Sequence, residues 1–303
     1  MLRNAAEAAE ILAAGGLCAL PTETVYGLAA LAENGEAVAR IYETKGRPRF
    51  NPLIVHCASL EQVGRVVKLD HCARGLAALL WPGPLTIVLE KQEDAPVSEL
   101  AGAGLDTLAV RIPRHPLIRE VIEILGKPIV APSANRSGKL SPTAAGHVVA
   151  EFGDAVPVLD GGPCEAGIES TIISLAKSRP TLLRPGAIPA REVEARLGHP
   201  LQAPGGGIEA PGMLASHYAP NAALRLNAQA AREGEVLLGF GGTDGAALDL
   251  SPSGDLREAA ANLFSHLRKL DERGQPIAVA AIPEEGLGVA INDRLRRAAA
   301  PRG

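Results

Sequence analysis

Short apolar runs set close together, several of them closed by Pro or Gly, constrain this chain more than any other feature: LCALP (Leu17–Pro21), PLIVH, LTIVLE, TLAVRIP, KPIVAP, VPVLDGG, STIISL and TLLRPG. A run of that length without polar alternation fits a strand covered on both faces and is too short for a core helix. Helical patterns at Glu36–Thr44 and Pro116–Leu125 separate some of the runs. An Ala-rich stretch with Leu and Ile at helical spacing, Asn4–Ala14, opens the chain, and Gly15 and Gly16 stop it. The pattern predicts an α/β domain around a central mixed sheet.

That domain does not use the whole chain. At 303 residues and 47% hydrophobic content the sequence exceeds the usual size of one domain and can bury a sizeable core. Near residue 200 the composition changes: GHPLQAPGGGIEAPGM (Gly198–Met213) is rich in Gly and Pro, has little apolar periodicity, and reads as an interdomain linker. Beyond Pro220, strand EVLLGF (Glu235–Phe240), a helix near Asp255–Arg273, strand PIAVAAI and a last helix ending in DRLRRAA describe a small α/β, Rossmann-like domain. The expected division is 1–199, a linker or lid at 200–220, and 221–303.

Several function classes drop out on composition. Aromatic residues are 3% with one Trp, which weakens any model based on stacking of bases, and a net charge of −4 argues against a globally basic nucleic-acid binder while allowing a local basic pocket. Cys18, Cys57, Cys72 and Cys164 form no C-x-x-C pair and read as free thiols. Glutamates stand where a signal peptide needs an apolar run, and no segment approaches the length of a membrane span, so the expectation is a cytoplasmic protein with no membrane contact.

The polar residues that remain gather at strand ends. KGRPRFNPLIVH (Lys45–His56) sets three cations in five residues around Gly46 and Pro48 before entering a strand. A solvated loop is the plain reading of such a segment; a stiff loop holding guanidinium groups is also how proteins bind phosphate or carboxylate. PTETVYG leaves the first strand with two threonines, a carboxylate and a tyrosine, AVRIP puts Arg111 within a strand, and PSANRSG follows strand PIVA. Each has a structural reading as a cap, a turn or a solvent-facing cation. Together they suit a ligand beyond the strand ends of an open α/β sheet, one that is anionic and polyvalent. Lys45, Arg47 and Arg49 could surround a triphosphate, with Ser133 and Asn135 orienting it through neutral hydrogen bonds; Lys45, Arg47, Ser133 and Asn135 are the candidate catalytic residues, acting by positioning and charge because no nucleophile or general base is evident. GFGGTDG (Gly239–Gly245) follows a strand as a dinucleotide fingerprint would, but lacks the third glycine of that motif and reads as a turn. Phosphate-loop, zinc-protease and serine-hydrolase signatures are absent from the sequence.

PTETVYGL, KGRPRFNPLIVH, WPGPLT, VRIP, PSANRSGKLSPT, GIESTI and LRPGAI, in this order, resemble the YrdC-like family of L-threonylcarbamoyl-AMP synthases, and APGMLASHYAP with the terminal DRLRRAA resembles its longer, two-domain members. The resemblance implies a twisted open mixed sheet with a concave basic cavity, and an enzyme joining L-threonine, bicarbonate and ATP with release of pyrophosphate. The product would serve N6-threonylcarbamoylation of adenosine 37 in tRNA, with tRNA or a threonylcarbamoyl transferase complex downstream. It implies threonine contacts from Thr24, His56, Arg111, Ala131 and Ser170, and ATP contacts from Arg47, Asn51, Thr107, Ser133, Ser141, Arg184, His217 and Tyr218. Magnesium is expected to accompany ATP, although no carboxylate cluster identifies a protein-held metal site. The competing reading is a module that holds double-stranded RNA or tRNA in the same basic concavity without catalysis; a carbamoyl-transfer accessory unit is a third.

Overall fold

The computed structural model describes residues 1–177, 179–205, 209–213 and 217–301. In chain order the first part runs α1 (Ala5–Ala13), β1 (Cys18–Leu20), β2 (Gly27–Leu31), α2 (Gly35–Lys45), β3 (Ile54–His56), α3 (Leu60–Val66), α4 (His71–Leu80), β4 (Leu85–Glu90), α5 (Glu99–Gly102), β5 (Thr107–Arg111), α6 (Pro116–Leu125), β6 (Ile129–Val130), α7 (Ala145–Phe152), β7 (Thr171–Ser174), β8 (Thr181–Arg184) and α8 (Ala190–Leu197). The second part runs β9 (Leu224–Arg225), β10 (Val236–Gly239), β11 (Leu248–Asp249), α9 (Leu256–Asp271), β12 (Ile277–Val279) and α10 (Gly288–Ala299). The 200–220 segment includes 206–208 and 214–216, so those positions, Leu214 among them, lie outside the described residues, as do 302 and 303.

Eight strands make one mixed sheet in the order β1-β2-β6-β3-β5-β4-β7-β8, parallel at β3–β5 and β4–β7 and antiparallel elsewhere. The other four make an all-parallel sheet, β11-β10-β12-β9. Seven of the eight apolar runs in the first part contain strands. VPVLDGG does not: it touches the outer edge of β1 through isolated bridges, Ala19 with Val158 and Leu2 with Leu159. Pro157 has no N–H for a ladder, and the Asp160–Gly161–Gly162 turn ends the run. In the other direction, GLAAL forms β2, although Gly and Ala carry little strand preference, because β1 and β6 pair with it on both sides.

Side-chain alternation gives the large sheet two faces. Val55, Leu85, Ile87, Leu108, Val110 and Ile173 point into the main core beneath α2, α3 and α4. The opposite face carries Ile54, Val88, Ala109 and Ile172, with Ala210 and Met213 of the linker packed on them. His56 and Arg111 share that second face, being two residues beyond Ile54 and Ala109 on their strands. Over β1, β2 and β6 the same face is covered by α1 and α6.

The two parts are joined by more than the linker. The core around α9 and α10 includes Val25, Leu140 and Ile168 from the first part, beside Leu263, Phe264 and Ile291. Gly167 lies so close to α9 that a Cβ would fall 2.4 Å from the Ala261 Cα and 2.5 Å from the carbonyl oxygens of Ala260 and Ala261, and its φ of +65° is left-handed. GFGGTDG is closed on itself: Gly242 and Thr243 donate their N–H groups to Asp249 Oδ2 at 3.1 and 3.0 Å, which leaves a turn and no phosphate cradle.

Gly167→Ala adds overpacking to a left-handed backbone, and should destabilise the protein by roughly 2–4 kcal/mol. Thermal unfolding followed by circular dichroism should show a midpoint lowered by on the order of 5–10 °C; an unchanged midpoint would mean that this contact does not hold the two parts together.

Candidate active site

The KGRPRFN loop is stiff for reasons visible in its backbone. Lys45 is the last residue of α2, Gly46 is left-handed at φ 59°, and the N–H groups of Gly46 and Arg47 return to the carbonyls of Glu43 and Tyr42 at 3.1 and 2.9 Å. The loop then folds around Arg47, whose Nε and Nη2 donate to the carbonyls of Asn51 and Pro52 at 3.2 and 2.9 Å. Lys45 crosses to the next loop, its Nζ donating to the carbonyls of Ser133 and Asn135 at 2.6 and 2.5 Å. Arg49, two residues on, is exposed.

A cavity opens on the second sheet face, and Arg47 reaches it from this loop. At one end Arg111 enters from β5, held by Glu23 at 2.7 Å, by the Gly83 carbonyl at 3.1 Å and by Thr24 Oγ1 at 3.0 Å. The Thr22 hydroxyl donates to the Val25 carbonyl at 2.7 Å, so the hydroxyl hydrogen of Thr24 is the one that bridges the two threonines at 2.8 Å. His56 sits beside them with Nδ1 donating to the Ile54 carbonyl at 3.1 Å, which leaves Nε2 as an acceptor. Burial, then the Arg111 cation, pushes its pKa down to about 3, so the ring is neutral.

At the other end Arg184, at the tip of β8, donates from Nη2 to the Ser170 carbonyl and hydroxyl at 2.9 and 3.1 Å and from Nη1 to the Pro211 carbonyl at 3.3 Å. Ser170 Oγ also bonds Thr86 at 2.8 Å. Pro211, Gly212, His217 and Tyr218 form the outer wall. Gly212 fits because it has no side chain: with φ +82°, a Cβ there would come 2.9 Å from Arg184 Cδ and from the Tyr218 hydroxyl. Tyr218 also has a positive φ of 62° and lies edge-on to His217, with ring centroids 4.1 Å apart. Burial brings the His217 pKa to about 3 as well.

The electrostatics are unusual for a protein interior. Lys45, Arg47 and Arg184 are 2%, 7% and 4% exposed, and none of them makes an ion pair among the described residues. Burial lowers all three from their ordinary values, Arg47 to about 10, and the Arg47 cation lowers Lys45 further. Both buried acids are already paired: Glu23 with Arg111, and Glu169 with Arg294 of α10 at 3.0 Å. Burial alone would raise the Glu169 carboxyl, but Arg294 and then Arg184 outweigh it and hold it below the usual carboxylate range. Such a site is built to receive an anion.

Of the residues singled out from sequence, Thr24, Arg47, His56, Arg111, Ala131, Ser133, Ser170, Arg184, His217 and Tyr218 line one cavity. Lys45 and Asn135 stand behind its wall; the Asn135 amide donates to the carbonyls of Arg136 and Lys139 at 2.7 and 2.9 Å and shapes that turn. Asn51 is buried with neither side-chain atom partnered, below the carbonyl that holds Arg47. Ser141 donates to Glu169 at 2.5 Å, and Thr107 is at the far end of β5 from Arg111. The sequence reading assigned no role to Glu23, Glu169 or Arg294. For the two glutamates the signal available was a lone charge inside PTETVYG and inside GIESTI; Arg294 is one of four charged residues in DRLRRAA, and nothing in that run marks it out.

Residues 10–186 match the Sua5/YciO/YrdC family model, described as telomere recombination, and residues 188–300 match a model described as the C-terminal domain of threonylcarbamoyl-AMP synthase. The chain belongs to this family, in its two-domain form. It is 43% identical to the threonylcarbamoyl-AMP synthase of Pyrococcus abyssi, over 97% of this chain and 94% of that one, and 40% identical to the enzyme of that name from Bacillus subtilis, over 98% and 93%. The solved structure of P. abyssi Sua5 complexed with L-threonine superposes with a TM-score of 0.90 at 39% identity, covering 99% of this chain and 96% of that one.

Arg47→Ala should cost at least about 2 kcal/mol of transition-state stabilisation, or some thirtyfold in kcat/KM, whereas exposed Arg49→Ala should stay within about twofold. Arg47→Lys should also be impaired, since an ammonium cannot reproduce the planar fork that spans two carbonyls. Equal activity of the two alanine variants, with folding intact by circular dichroism, would remove the loop from the site.

Proposed function

We propose that this protein makes L-threonylcarbamoyl-AMP from L-threonine, bicarbonate and ATP and releases pyrophosphate. The observation that carries this is the union, in one cavity, of an amino-acid end built on Arg111, Thr24 and Ser170 with an anion end built on Arg47 and Arg184, cations that make no ion pair among the described residues. A substrate carboxylate suits Arg111, and a methyl and a hydroxyl suit the small polar pocket around Thr24 and Ala131.

The chemistry needs no side-chain nucleophile. The amino group of threonine and bicarbonate condense to a carbamate with loss of water, and a carbamate oxygen attacks the α-phosphorus of ATP; the bond from that phosphorus to the bridging oxygen breaks and pyrophosphate leaves. Arg47 and Arg184, with Lys45 behind, stabilise the charge that builds on the leaving group, and they do so from buried positions where their charge is screened less than in water. His56 and His217, being neutral, add hydrogen-bond acceptors without adding charge. Magnesium enters as part of the substrate, bound to ATP. Glu169 is the one carboxylate on the cavity wall, its oxygens are taken by Ser141 and Arg294, and no group of three His, Cys, Asp or Glu among the described residues could hold a metal. The wall of Pro211, Gly212, His217 and Tyr218 is read as a lid that moves to admit ATP and then shields the adenylate from water. The product would pass to a transferase acting on adenosine 37 of tRNA.

Binding of an RNA duplex in the cavity is the weaker reading, because cations 2–7% exposed cannot reach the phosphates of a double helix.

Incubation of the protein with MgATP, threonine and labelled bicarbonate should yield labelled adenylate and pyrophosphate, with neither formed when threonine is left out. Pyrophosphate release that persists without threonine would refute the reaction. Serine, lacking one methyl, should be poorer by about 10- to 200-fold in kcat/KM; equal efficiency would show that the pocket does not test the methyl group.

A further inference from the structure

A carboxylate in the wall of a polyphosphate site needs an explanation. Glu169 is buried there, immediately before Ser170, whose carbonyl and hydroxyl hold Arg184. An unneutralised Glu169 would repel incoming phosphate and would also draw Arg184 to itself, removing one of the cations on which the anion end depends. Arg294 prevents both. It comes from α10 of the second part and is 1% exposed; its Nε lies 3.0 Å from Glu169 Oε2, and its Nη1 donates to the Pro185 carbonyl at 2.5 Å. Its guanidinium also sits 5.4 Å from the Tyr218 ring centroid. Arg294 Nη1 also lies 3.1 Å from Asp293 Oδ2, and the other oxygen of Asp293 accepts from Arg297 Nε at 3.0 Å, so Arg294 is shared between Glu169 and an acid that Arg297 helps to neutralise.

We propose that Arg294 is a positioning residue of the active site, supplied across the domain boundary: its charge cancels Glu169 and thereby keeps Arg184 available to the phosphates of ATP. This rests on the reading of the cavity as an ATP site. With Glu23 on Arg111 and Glu169 on Arg294, the cations at the site that make no ion pair among the described residues are Lys45, Arg47 and Arg184. Without Arg294, Glu169 takes Arg184 and the phosphates meet a weaker field. The second part therefore contributes a charge to the site, and its docking and ATP affinity are coupled.

The test compares Arg294→Gln, Arg294→Lys and the double variant Glu169→Gln/Arg294→Gln in steady-state pyrophosphate release at varied MgATP, with calorimetric titration of MgATP. Arg294→Gln should raise the KM for ATP by at least about tenfold, with a smaller change in kcat. Arg294→Lys keeps the charge but not the fork, and should stay within about threefold of the wild type. The double variant should recover most of the loss, since it removes the carboxylate together with its partner. Arg294→Lys and the double variant both keep the buried charge balanced, so they carry the test if Arg294→Gln folds poorly. Wild-type KM in Arg294→Gln would overturn the proposal. So would equal impairment of the lysine and glutamine variants, or no recovery in the double variant, since either outcome makes Arg294 a docking contact alone. A wild-type protein that releases no pyrophosphate from ATP with threonine and bicarbonate would instead remove the ATP reading itself, and this proposal with it.

Discussion

Three cations, Lys45, Arg47 and Arg184, are held out of water by backbone carbonyls and one hydroxyl in place of carboxylates, and most of the first domain is organised around that arrangement. Removing an ion from water costs several kcal/mol even after relaxation, and neutral acceptors fix its position while leaving most of its charge uncancelled. The cost is tolerable because the cations leave fixed points, the capped end of α2 and the tip of β8, and Lys45 is met by the fixed turn after β6. A hydrophobic core on the other face of the sheet keeps those ends in place.

The covering segment is fastened in the same manner, from both sides. Ala210 and Met213 rest on the apolar patch of the sheet, the Ala219 N–H donates to the Gly138 carbonyl at 2.8 Å, and the His217 N–H donates to the Arg297 carbonyl at 3.3 Å. Tyr218 packs against Phe264 of α9 with ring centroids 5.5 Å apart and planes tilted by 31°, while its backbone stays in the left-handed region. A non-glycine residue held there stores about 1–2 kcal/mol, which the packing of two domains around its ring must offset. The wall of the cavity is thus shaped by the second domain as much as by the first.

Strand positions were legible because they depend on local chemistry: unbroken apolar runs, ended by Pro or Gly. β2 was not, since Gly and Ala become a strand here only through neighbours on both sides, and VPVLDGG was misleading because a proline and a turn limit it to isolated bridges. The basic loop could be read for the same local reason: Lys45, Gly46 and Arg47 form a helix end with cations attached. Arg111 looked like a cation on a strand that could face solvent, and its burial depends on Glu23 and on the Gly83 carbonyl of a distant turn. The Glu169–Arg294 pair lay furthest out of reach, its members standing 125 positions apart on opposite sides of a linker. Periodicity reports which face is buried and does not report which charge meets which.

The hydrophobic interior of the second domain borrows Val25, Leu140 and Ile168 from the first. The border between the two folded units therefore does not coincide with any cut in the polypeptide. Each domain is incomplete as an object in water, since separation would leave one with a greasy scar and the other with a hole. A gene encoding the first half alone would have to repaint those three positions before its product could remain dispersed in a crowded cell, so the history of the interface should be written in them more plainly than in the linker.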